Sequence, residues 1–224
     1  MNEYFKDVYL RGFISACISI FVPLFIWGNT IAHLPYFINK IEMANTSLGF
    51  FFMLFSGIQI IFSQFAGRII IPKIGSKNTL SLGILIFSIF PIILIFSQNS
   101  FHFILASIPC GFGVGLFYTT CTAVTGIAER ETGKILQPLW GGFLSFGFLC
   151  GAIFSSIWQY YNIDTSYLFF LLSLFGILGF FLIRIYAFPR IIDNIDKSDK
   201  FKLPEVKILI FGIYLFIFYA SVGI

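Results

Sequence analysis

Asn29 and His33 stand four residues apart inside a long apolar stretch, Tyr118 and Thr122 repeat that spacing, and Ser56, Gln59 and Ser63 continue it in a third place. Residues three or four apart share one face of a helix. A polar face within an apolar segment is costly unless it meets a partner or a wet cavity. The chemistry on offer is neutral hydrogen bonding by amides and hydroxyls, with Trp27 and Trp140 supplying ring faces. That combination suits an uncharged small polar solute such as a sugar. His33 is expected at the external mouth, as a gate, a substrate contact or a proton carrier, because imidazole changes charge near neutral pH. A local alternative stands beside this: the hydroxyls bond carbonyls of their own helices, and Gln59 joins two helices.

A second set of residues is charged. Gly67, Arg68, Lys73, Gly75 and Lys77 fall in a charged loop expected over Gly67–Thr79, and Glu129 and Arg130 in another expected over Ile127–Pro138. Opposite charges on neighbouring loops can exchange ion pairs between two conformations, so these residues form a candidate conformational gate; equally, the cations act as topology determinants. Cys17, Cys110, Cys121 and Cys150 are scattered without CxxC spacing, and neither HExxH nor GxSxG occurs. Neither a metal, a cofactor nor an enzymatic activity is expected.

The elements that must position these residues are membrane spans. Apolar runs at Phe13–Ile31, Leu48–Ala66, Leu80–Phe96, Phe103–Gly126, Leu139–Tyr160 and Tyr167–Ile185 have the length of a helix that crosses a bilayer, about 20 residues, where only a helix satisfies its own backbone. Composition agrees: 58% hydrophobic, 11% charged, mean hydropathy +0.93. No Asp or Glu lies within the six runs, so a carboxylate proton relay is not expected there. If the runs alternate in direction, thirteen of the 14 Lys and Arg fall on one side and Lys40 alone on the other. Basic residues stay in the cytoplasm, so the N-terminus and the segment after the sixth run are expected there, in a plasma (inner) membrane. The same distribution argues against nucleic acid as a partner; the partners expected are the lipid bilayer and a small-molecule solute. Met1–Arg11 is polar and has no cleavable signal behind it.

Three domains are expected: a six-helix bundle over 1–187, a charged cytoplasmic linker over 188–206, and the start of a seventh helix over 207–224, with the rest of a second bundle missing or replaced by self-association. Within this layout, Trp27, His33, Leu34 and Pro35, then Asn45–Gly49, then Gly67–Lys77, and finally Gly111, Gly113, Gly115, Glu129, Arg130, Gly133 and Lys134 resemble the first half of a major facilitator superfamily transporter. The sequence is most similar to its fucose-permease-like sugar branch. Ile71 and Pro72 stand where that family's loop usually carries an acidic residue. The resemblance implies an all-α integral membrane bundle of six helices in 3+3 repeats, moving a solute by alternating access around interrupted helices. Interruptions are expected at Trp27–Thr30 in the first helix and at Pro109 in the fourth. A non-transporting membrane scaffold or sensor is the alternative reading.

Overall fold

The computed structural model describes residues 3–187, with side chains from Asp7 onward. The expected linker at 188–206 and seventh span at 207–224 lie outside the described residues. Ten α-helices follow in order: α1 Glu3–Ala32, α2 Leu34–Lys40, α3 Asn45–Phe65, α4 Ile71–Ile74, α5 Ser76–Phe87, α6 Ile89–Ile95, α7 Ser100–Leu105, α8 Ser107–Thr132, α9 Gln137–Tyr160 and α10 Thr165–Tyr186. Six of the resulting helical stretches are long and apolar enough to cross a membrane: 7–32, 45–74, 76–95, 100–132, 137–160 and 165–186. The fold is an all-α bundle of six candidate spans.

Two of the spans are broken, and prolines explain both breaks. Pro91 and Pro109 have no N–H to give the carbonyl four residues earlier. Those carbonyls belong to Phe87 and Leu105, the residues at which α5 and α7 end. At the first break Ser173 Oγ from α10 donates to the Ser88 carbonyl at 2.5 Å, so a side chain occupies an acceptor near the disrupted ladder. The first helix, by contrast, runs unbroken through Trp27–Thr30 although it contains Pro23, so the interruption expected there is not present.

Two other expectations are corrected by helix extension. Gly67–Thr79 is not a loop: a π-helical turn, Ala66–Ile70, leads directly into α4, and only Gly75 separates α4 from α5. Gly75 has φ 85°, which an L side chain rarely adopts. Ile127–Pro138 is likewise helical through Thr132, closed by Gly133 in the left-handed region. The connection after the first span also contains helix, α2, started by Pro35 in its first turn.

Packing follows an exchange pattern. The first span packs chiefly on the fifth, the second on the fourth, and the sixth on the third, which also lies closely along the fourth. A two-fold that swaps helices one to three with four to six turns the first of these pairs into the second and maps the third pair onto itself. This is the arrangement that 3+3 repeats produce. Glycines set the closeness of two contacts: a Cβ at Gly151 would collide with the Phe25 carbonyl and one at Gly28 with that of Phe148, while at Gly111 it would lie 2.6 Å from the Phe55 carbonyl. In lipid, where apolar attraction between helices is weak, such backbone approach supplies much of the association.

Candidate functional site

The α3–α8 contact places the residues of greatest chemical interest. Gly115 admits the α3 backbone beside Gln59, whose carbonyl would be 2.8 Å from a Cβ at that position. Tyr118 follows three residues later on α8, and Trp27 approaches from α1 with its ring stacked on Phe55 at 5.1 Å. Between them is a cavity of about 140 Å³ lined by Pro23, Leu24, Trp27, Phe55, Gln59, Phe87, Val114, Phe117, Tyr118 and Leu144. Four spans plus α9 thus contribute to one space. Its polar groups are all neutral: an amide, a phenol and an indole N–H. Such a wall can stack a flat ring and hydrogen-bond one edge of it.

Of the seven residues with candidate substrate roles, the cavity gathers Trp27, Gln59 and Tyr118. Thr122 lies one turn below Tyr118 and donates to the Tyr118 carbonyl at 3.0 Å. Trp140 is buried against Tyr118, the ring centroids 5.4 Å apart, and supports that ring from α9. Asn29 and His33 share a face, as their spacing requires, but that face is packed between helices. Asn29 Nδ2 donates to the Phe25 carbonyl at 2.9 Å. His33 is buried rather than at an open mouth: Nδ1 pairs with Ser155 Oγ of α9, and its ring meets the Phe169 ring edge-on. Gln159 extends this cluster, donating to Ser155 Oγ and to the Ala32 carbonyl, each at 3.2 Å.

The aromatic and apolar members of the wall carried no polar signal in the sequence. Phe55 was legible only as the partner of Gln59 four residues on, and Val114 as that of Tyr118.

The candidate gate residues collect at the end of the bundle opposite Lys40. Gly67 and Arg68 lie in the π turn, Lys73 in α4, Gly75 at the break and Lys77 in the first turn of α5. Glu129 Oε1 accepts from the Leu136 N–H at 3.3 Å, which ties the end of α8 to the start of α9. A carboxylate suits that position, since helix N-termini carry partial positive charge. Arg130 pairs with Glu131 at 3.5 Å. In this structure both Glu129 and Arg130 are therefore engaged locally.

Comparison with known proteins decides the family. The Major Facilitator Superfamily model matches residues 16–223. The chain belongs to the major facilitator superfamily. Multidrug resistance protein 2 of Bacillus subtilis (strain 168) is 29% identical over 160 residues, which cover 64% of this chain and 40% of that relative. As a major facilitator chain it belongs to a family of secondary transporters, and its exchange-paired helices are the framework on which the cavity is built.

Proposed function

We propose that the chain forms one helical lobe of a secondary transporter that moves a small solute across a membrane by alternating access, with the Trp27–Gln59–Tyr118 cavity as part of the solute path. The observation carrying this is the convergence of an unbroken first span, the second span seated in the glycine notches of the fourth, and the bent third span on one space with neutral polar groups. The basic end, with Arg68, Lys73, Lys77, Arg130 and Lys134, faces the cytoplasm of a plasma membrane, because translocated short loops seldom carry cations. Arg68 and its neighbours act there as a gate that opens and closes with the bundle. A sugar fits the family resemblance read from the sequence and gains support from the Trp27 ring face; the relative named for multidrug resistance supports a more apolar solute.

Uptake into membrane vesicles containing the chain tests the proposal, with radiolabelled sugars, amino acids, organic anions and nucleobases offered in turn. Saturable accumulation that falls about tenfold in Trp27→Ala is expected, since losing a half-buried ring face removes a stacking contact and apolar burial together on the order of the 1.4 kcal/mol that corresponds to a factor of ten. Absence of carrier-dependent movement for every class of solute would defeat the reading and leave a scaffold in its place.

A further inference from the structure

Independently of which solute is carried, we infer that His33 is a proton-operated latch on the seam between α1 and α9. It holds the end of the bundle away from the basic residues closed while its imidazole is neutral, and releases that end when the imidazole is protonated.

The closed form is built entirely inside this bundle. His33 is the one residue between α1 and α2, and it is 1% exposed. Gln159 Nε2 donates to Ser155 Oγ, which directs the serine's own hydrogen to His33 Nδ1. The same Gln159 amide donates to the Ala32 carbonyl. Three side chains thus fasten the last turn of α1 to the last two turns of α9, and Phe169 of α10 closes over the imidazole edge-on at 5.7 Å. A neutral imidazole suits this network, since one ring nitrogen accepts and the other carries the hydrogen.

Protonation undoes it. Both ring nitrogens then carry hydrogen, so Nδ1 no longer accepts from Ser155, and Nε2 has no hydrogen-bond partner among the described residues. No counter-charge takes over. On α2, Lys40 lies over the Tyr36 ring at 5.9 Å, and Glu42 beyond it is exposed. On α9 the neighbours Tyr160 and Tyr161 meet each other's rings. At the start of α10, Asp164 accepts from the Ser166 N–H, and Tyr167 points outward. His102 of α7 is engaged with Gln98 and Asn99. Among the described residues, none of these groups makes an ion pair or hydrogen bond with His33.

A charge buried among neutral partners is costly. Burial accordingly lowers the His33 pKa from its ordinary value, and the Asn29 carbonyl, 3.3 Å from Nδ1, acts in the opposite direction. A histidine with a depressed folded pKa takes up its proton more readily once released. The closed seam therefore loses stability as pH falls below the ordinary value of about 6.5. The charged ring regains water by parting α1 from α9. Both helices also line the Trp27 cavity, so the latch bears on one wall of the proposed solute path.

Two measurements on the full chain in lipid nanodiscs test the latch. NMR of the chain isotopically labelled at histidine, in a His102→Asn background, follows His33 alone. Electron paramagnetic resonance between nitroxides at Asn39→Cys on α2 and Tyr160→Cys on α9, both exposed positions, reads the width of the seam. Cys150→Ala completes that background, because Cys17, Cys110 and Cys121 are buried. Expected are half-titration of His33 below about 6.5, one short separation at about pH 8, and a second, longer one that grows toward about pH 5. His33→Gln cannot take up the proton and is expected to abolish the growth of the longer separation. Ser155→Ala keeps His33 but removes the hydroxyl that favours its neutral form, so the midpoint is expected to move upward and the longer separation to appear at higher pH; this variant carries the test where His33→Gln does not insert. Titration at or above the ordinary value, a separation that ignores pH, or widening that persists in His33→Gln would each overturn the latch. None of these outcomes touches the carrier reading, which vesicle uptake tests separately.

Discussion

Single residues in this bundle divide by what a substituent would meet. A methyl group at Gly151 runs into the Phe25 backbone, whereas at Gly57 or Gly141 it meets nothing within 4 Å. Backbone cannot swing aside as a side chain does. Gly151→Ala is therefore expected to destabilise by about 1–3 kcal/mol through overpacking, and Gly57→Ala to be neutral or slightly stabilising through helix propensity; thermal unfolding in detergent separates the two. Asp164 offers a test at the turn between α9 and α10. Its carboxylate caps α10 by accepting from the Ser166 N–H at 2.7 Å, and those hydrogen bonds hold its pKa below the ordinary value. A carboxylate with a depressed folded pKa contributes stability that is present above its unfolded pKa and is lost as pH falls through the folded one. Asp164→Asn is expected to flatten the acid side of a stability–pH profile. The polar spacing of Gln59 and Tyr118 was readable from the sequence, but which polar stripe faced a cavity was not: Asn29 and His33 have the same four-residue spacing and are closed in by Ser155 and Phe169, side chains more than 120 positions away.

At the scale of elements, the hairpin formed by α6 and α7 is the distinctive unit. Seven residues follow the first break and six precede the second, so the two bends bound helical arms of nearly equal length. Ser173 from α10 steadies the Ser88 side. Ser173→Ala is expected to raise amide hydrogen exchange around residues 88–92, with a stability loss of about 1 kcal/mol, the usual worth of one buried hydrogen bond. Unchanged exchange would show that Ser173 plays no part in holding the break. Pro109 marked one bend in the sequence. Pro91 marks its counterpart just as clearly once i−4 carbonyls are counted, yet an apolar run of that length reads as an uninterrupted span. Charge and Gly at 67–79 resemble a turn, yet the backbone continues as helix through a π turn, and within the segment only Gly75 has a positive φ.

For the whole molecule, six spans and their order were legible from hydropathy, because lipid permits little else. Which spans touch which was not, since pairing depends on small residues whose neighbours lie far along the chain. Arg68→Gln is expected to slow vesicle uptake several-fold without lowering the amount of chain inserted, and unaltered kinetics would remove the gate at the basic end. The topology is checked by single cysteines at Asn162 and Lys134, which a membrane-impermeant maleimide is expected to label from opposite faces. Alanine scanning also bears on the exchange pattern. The first span's central window is 56% buried within the bundle and the second's only 6%, although both lean on glycine notches. The second span's bulky side chains Met53, Ile60 and Ile61 point out of the bundle, and an oily medium on that face would make them interchangeable with other oily groups. A mutational tolerance map of this protein should therefore run opposite to that of a water-soluble one: permissive where residues are large, and strictest where they are smallest.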